Sequence, residues 1–312
     1  MVSWAGSQNI GVRDLEANQT SMKKELSPST ISWRRLVVIS IFCGTSISQE
    51  SFAGSPQKIA SLSLASDEIL LDLLPKCGGR QRIVALSTFA DDPDSSSVVE
   101  AAKSVKGRVH SEPESLFSLK PDLIIAASYN RPELIGMIQS RKIPLLLLDK
   151  FSSVSDIAKH IQDIGEAVDC TKEAIALKDL FLRDVSAPIS PANPSAKKLR
   201  LINYSPDMVV MGLGTLFDDL VTRAGGINVA SERGLRNWPR IDLETLLSTK
   251  PDKIIVIGVD TLIIRAAIKN HPAWGRLPAV IKGDQLIFLD SNSALSTSHY
   301  FRRAITNLKR QL

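Results

Sequence analysis

Ile157, Ile161, Ile164 and Val168 recur at steps of four, three and four within residues 152–186. That spacing sets them on one stripe of a helix. Ile175, Leu182 and Val185 carry roughly the same face onward. Ser153 followed by Asp156 reads as a capped start, and Pro188, Pro191 and Pro194 forbid continuation. Unbroken, such a helix runs on the order of 50 Å, long enough to span between two bodies. Its weakest point is Asp169-Cys170-Thr171, the place for a kink.

The flanks of this segment resemble each other. ESLFSLKPDLIIA begins at Glu114 and ETLLSTKPDKIIV begins at Glu244, 130 residues later. Each copy predicts a short helix, a Lys-Pro-Asp stop and a buried strand. The proline has no N–H to continue the helix and disfavours helical geometry in the lysine before it. Short apolar runs predict further strands at 58–63, 82–86, 107–110, 123–127 and 145–148, then at 199–203, 254–257 and 286–289. Helices are predicted between them, including 215–224 and 298–310. Strands alternating with helices predict α/β architecture: two similar lobes with parallel sheets, joined by one long helix. The expected divisions are a leader over 1–53, a first lobe over 58–152, the joining helix over 153–187 and a second lobe over 197–312. Ligands of such sheets sit beyond the carboxyl ends of the strands, here in the crevice between lobes.

Composition narrows the class only a little. The 312 residues are 44% hydrophobic and 23% charged, ordinary for a soluble protein of this size. The net charge of +5 is scattered rather than clustered, which argues against a nucleic-acid face. The N-terminus adds more. Lys23, Lys24, Arg34 and Arg35 precede the apolar run 36–47, and Ser51-Phe52-Ala53 offers small residues for cleavage. That order is that of a cleaved secretory signal peptide, with Met1 and Met22 both open as the start. Phe42 stands where a lipid-modified Cys43 would need a small residue. Cys77 and Cys170 remain in the exported part and can pair in an oxidising compartment, but two separate core thiols are the preferred expectation.

Catalytic signatures are missing: there is no Gly-x-Ser-x-Gly, His-Glu-x-x-His or Cys-x-x-Cys. Gly212-Leu-Gly214 begins like a dinucleotide loop, but Phe217 occupies the last glycine position, so a flexible turn entering a helix is expected instead. Of four histidines only His110 and His299 fall near crevice loops, too few for a metal site. No catalytic residue, metal ligand or cofactor is assigned. The loops do hold aromatics: Phe89, Tyr129, Tyr204 and Trp238. As a group they offer rigid faces to a flat or bulky ligand, with Asn130, Arg131, Ser291 and Asn292 as polar contacts. Glu114 and Glu244 each begin a helix, where the helix dipole alone favours a carboxylate by ~0.3–1 kcal/mol, and Ser111 with Glu114 can form a capping box. The other reading is a pair of equivalent acids meeting basic groups on a partner.

The ordered set of the 58–71 opening, Arg82 to Ser87, the two repeat copies, the central helix, Asn237-Trp238-Pro239 and His271 to Pro278 resembles the periplasmic substrate-binding proteins of iron-chelate and vitamin B12 ABC importers. The resemblance covers about 58–312. It implies a non-enzymatic, monomeric periplasmic carrier that takes a metal chelate (ferric siderophore, corrinoid or haem) between its lobes. It also implies that Glu114 and Glu244 dock on arginines of a membrane permease, and that Phe89 and Trp238 cover the ligand from opposite lobes. The loops at Ser128-Tyr129 and at 290–293 lack tryptophans found in well-known B12 binders. A two-lobed redox enzyme and a ligand-free sensor or interaction module are the rival expectations.

Overall fold

The computed structural model describes residues 54–109, 113–187, 197–282 and 285–312. The leader, His110, Ser111 and the three prolines at 188, 191 and 194 fall outside the described residues. In chain order the first part runs β1 (Ile59–Ser61), α1 (Leu64–Leu73), β2 (Ile83–Ser87), α2 (Val99–Ala102), β3 (Gly107–Val109), α3 (Pro113–Ser118), β4 (Leu123–Ala127), α4 (Pro132–Ser140) and β5 (Leu145–Leu148). Helices α5 (Val154–Ala167) and α6 (Thr171–Ser186) follow. The second part runs β6 (Arg200–Asn203), α7 (Leu216–Arg223), β7 (Ile227–Asn228), α8 (Val229–Glu232), α9 (Leu243–Thr249), β8 (Lys253–Ile257), α10 (Leu262–Asn270), α11 (Pro278–Ile281), β9 (Leu286–Leu289), α12 (Ser291–Ala294) and α13 (Phe301–Gln311).

The strands form two parallel sheets, ordered β3-β2-β1-β4-β5 and β7-β6-β8-β9. Buried apolar runs explain the parallel arrangement, since helices cover both faces of such a sheet. The internal repeat is structural as well as sequential. Helix α3, strand β4 and helix α4 begin 130 residues before α9, β8 and α10 respectively. Both stop lysines, Lys120 and Lys250, are left-handed, with φ of 49° and 45°. The aspartate that follows has a function beyond ending the helix. Asp122 accepts from the backbone N–H groups of Gln57 and Lys58, each at 2.8 Å, at the entry to β1. Asp252 accepts from Arg200 N at 2.9 Å at the entry to β6. Each copy thus pins the incoming neighbour strand to its own sheet.

The joining segment departs from a continuous rod. Ser153 caps α5, accepting from Asp156 N at 3.1 Å. The helix ends after Ala167, and Cys170 N returns to Gly165 O at 2.7 Å with Asp169 left-handed. The break falls at the weak point expected from sequence. Beyond it α6 folds back on α5: Lys178 Nζ donates to Gln162 Oε1 at 2.8 Å. A Cβ on Gly165 would sit 2.1 Å from that of Ala174, so glycine permits this close crossing. The long segment is a helical hairpin, and its apolar stripe is buried by α1 and by its own second arm.

One further expectation is corrected. Cys77 and Cys170 form a disulfide rather than two separate core thiols. It ties the hairpin turn to the end of α1. Arg82 reinforces the joint, donating to Pro56 O and Val168 O at 2.7 Å each. The two halves also meet directly. One apolar core runs through both, including Ile59 and Leu86 from the first sheet, Ile161 and Phe181 from the hairpin, and Ile255 and Leu289 from the second. Smaller cores lie on the far face of each sheet.

Candidate crevice site

The carboxyl ends of the parallel strands carry the candidate residues. Phe89 follows β2 in a single 3₁₀ turn, Thr88–Asp91. That turn is braced by Arg108 at the β3 edge, whose guanidinium forks onto Asp91 at 2.7 and 2.6 Å. The same pairing holds the Asp91 carboxyl below its ordinary pKa. Tyr129 follows β4. Burial of its hydroxyl end pushes the phenol pKa up, against hydrogen bonds with Ser63 and Thr297 that act downward, while the residue as a whole is 60% exposed. Its ring meets Phe151 at 5.1 Å, and Phe151 in turn meets His160 at 4.7 Å.

Trp238 lies on a ribbon that the sequence reading did not anticipate. The chain after β6 pairs with the segment before α9: Gly212 N donates to Asn237 O at 2.9 Å, and Asn237 N to Leu213 O at 3.0 Å. A Cβ on Gly212 would lie 2.2 Å from Leu235 O. The glycine expected to loosen a turn therefore allows two backbones to touch, and the touch holds Trp238 in place. Asn237, with φ of 57°, turns the corner. Phe89, Tyr129 and Trp238 are 59%, 60% and 62% exposed and are the exposed aromatic residues among those described.

Most of the other candidates are packed or bonded within the protein. Tyr204 is half-buried and packs edge-on against Trp274 at 5.3 Å. Trp274 Nε1 donates to Ser205 O at 2.8 Å, and His271 Nδ1 accepts from Ala273 N and Trp274 N, so the His-Pro-Ala-Trp run braces the Tyr204 loop. Asn130 accepts from Ala127 N and donates to Leu62 O, locking the loop that displays Tyr129. Arg131 is exposed at the start of α4. Ser291 Oγ donates to Asp94 O at 2.6 Å, and Asn292 O accepts from Ser97 Oγ at 3.3 Å. Those two residues join the halves.

That junction has a buried acidic floor. Glu68 accepts from Ser97 N on one side and from the Ser296 and Ser298 hydroxyls on the other. Asp67 accepts from the N–H and hydroxyl of Ser87. Asp72 accepts from Tyr300 and shares a 2.8 Å hydrogen bond with His299 Nε2. His299, expected near the crevice, is fully buried in this lock. Burial raises the Asp67 carboxyl to about 7 and also raises Glu68. For Asp72 burial acts upward too, but the bonds from His299 and Tyr300 outweigh it and its pKa is lowered. A carboxyl raised in the native state holds its proton more tightly folded than unfolded. Stability from Asp67 is therefore fully present below the unfolded value near 4 and is lost as pH rises toward 7. Urea unfolding of Asp67→Asn is expected to lose much of that downward slope between pH 4 and 7. An unchanged slope would show that Asp67 does not titrate there.

Glu114 and Glu244 are both exposed in the first turns of α3 and α9. Each helix leads into the amino end of a parallel strand, so its own start lies toward the carboxyl edge of its sheet. Asp242 caps α9, accepting from Thr245 N at 2.7 Å, so Glu244 is not needed for capping. Leu243, Leu247 and Ser248 line a shallow depression beside it. Among the described residues no group of three or more His, Cys, Asp or Glu can hold a metal ion, and no helix is long and apolar enough to cross a membrane.

Known proteins share this arrangement. A family model described as "Periplasmic binding protein" matches residues 59–292. The chain is 25% identical over 234 residues to an uncharacterized ABC transporter substrate-binding lipoprotein of Bacillus subtilis, covering 72% of this chain and 70% of that one. It is 23% identical over 213 residues to the vitamin B12-binding protein of Yersinia pestis, covering 68% and 73%. Among solved structures, the apo periplasmic heme-binding protein from Roseiflexus superposes with a TM-score of 0.68 at 22% identity, covering 82% of this chain and 97% of that one. The periplasmic vitamin B12 binding protein of Vibrio cholerae gives a TM-score of 0.62 at 19% identity, covering 82% and 96%. At such identities the structural likeness is one of fold.

Proposed function

Since the chain belongs to the periplasmic binding protein family, whose members are substrate-binding proteins and not enzymes, we propose that it captures a bulky metal chelate at the carboxyl ends of its two sheets and passes it to an ABC permease. The observation that carries this reading is the trio of exposed aromatics, Phe89 and Tyr129 on the first half and Trp238 on the second. An aromatic face left in water by folding is available to a flat apolar ligand. Relatives named for vitamin B12 and heme support a corrinoid or haem as cargo, with a ferric siderophore as the third candidate. The Cys77–Cys170 disulfide supports an exported protein, because such bonds persist in oxidising compartments.

Glu114 and Glu244 are the proposed permease contacts. Their matched positions in a 130-residue repeat, their exposure and the separate Asp242 cap support a role outside folding. Glu114→Ala with Glu244→Ala is expected to leave chelate affinity within twofold of wild type. Uptake by the reconstituted importer should fall about tenfold or more, the scale of one or two lost charge pairs. Normal uptake by the double variant would remove both residues from docking.

A further inference from the structure

The repeat that pairs Glu114 with Glu244 continues past the strands. Helices α4 and α10 have the same length and begin 130 residues apart, so the loop Ser128-Tyr129-Asn130-Arg131 corresponds to Gly258-Val259-Asp260-Thr261. The two loops are built alike. In the first, the Asn130 amide locks the turn and Tyr129 is left exposed. In the second, Asp260 takes a two-pronged bond from Arg265 at 2.6 and 2.7 Å, and Thr261 caps α10 by accepting from Ile264 N at 3.1 Å. The polar residues of this loop are thus engaged within it, and the aliphatic ones point outward. Val259, Leu262 and Ile263 are 68%, 85% and 81% exposed.

Three aliphatic side chains in water on a braced loop cost solubility and add nothing to the core. Arg265 also lies over the Phe288 ring at 4.9 Å, which anchors the helix start to the second sheet. We propose that Val259, Leu262 and Ile263 form the second half's apolar contact with the chelate, the counterpart of Tyr129, and that they set a preference for chelates with an apolar periphery. This rests on the carrier reading given above.

The test uses haemin, cyanocobalamin and ferrioxamine B as probes. Leu262→Ser with Ile263→Ser is expected to bind the preferred probe at least about tenfold more weakly, with its thermal melting unchanged. A second readout separates contact from indirect effects. Ile263→Cys should react rapidly with a maleimide, and bound probe should slow that labelling at least about tenfold, read by peptide mass spectrometry. If Phe89→Ala weakens binding while the Leu262/Ile263 variant binds as wild type and labelling ignores the probe, the assignment is wrong and the carrier reading stands. If the wild type binds none of the probes, the carrier reading fails and takes this assignment with it.

Discussion

Replacing Cys77 and Cys170 together by serine is expected to lower the melting temperature by about 10–15 °C. The bond joins residues 93 positions apart. Closing a loop of that length removes unfolded-state entropy equivalent to about 4–5 kcal/mol, the upper end for a single disulfide. For a body of this size each kcal/mol moves the transition by roughly 2–4 °C. The location supports a large effect. The bridge holds the α5–α6 turn onto the end of α1, and Arg82 is bonded to the same turn through Val168 O. Thermal scans with and without reductant check it, since reduced wild type should melt like the double variant. A drop under about 3 °C would mean that Arg82 and the shared core already fix the hairpin.

Phe89→Ala and Trp238→Ala are each expected to weaken chelate binding about 30-fold, and together by up to about 1,000-fold. An aromatic of this size carries ~2 kcal/mol when it anchors a ligand, and 1.4 kcal/mol is a factor of ten. Neither substitution should alter folding, because both side chains are more than half exposed. Their supports supply an internal control. Arg108→Ala should weaken binding through the Phe89 turn, and Gly212→Val through the Trp238 ribbon, with smaller effects than removing the rings. Calorimetric titration measures all four. Unchanged affinity in both ring variants would place the ligand elsewhere.

Much of this was legible in the chain. The strands at 123–127, 145–148 and 286–289 lie where the apolar runs put them, because buried parallel strands are nearly continuous in Ile, Leu and Val. The repeat and its Lys-Pro-Asp stop announced the two sheets. What failed was long-range. Periodicity gives the face of a helix but not whether it folds back, and the hairpin depends on Gly165 meeting Ala174 across the turn. Cysteine count gave no pairing, since nothing in the local sequence brings residue 170 to residue 77. Nor does local sequence show that the 291–300 segment returns to α1, placing Glu68 and Asp72 in bonds to residues more than 200 positions away. In the site, exposed aromatics were found by their scarcity and loop positions. Asp91 and Arg108, which brace the Phe89 turn, were missed because they pair across two loops; Gly212 was read as a loose turn, whereas its missing Cβ allows two backbones to touch.

The direct measurement is fluorescence titration of the oxidised protein with haemin, cyanocobalamin and ferrioxamine B, following Trp238 against its alanine variant. Saturable quenching by one chelate at one equivalent, largely lost in Trp238→Ala, is the predicted result. Absence of saturable binding to all three, in protein whose disulfide is intact, would contradict the assignment of this crevice to a metal chelate.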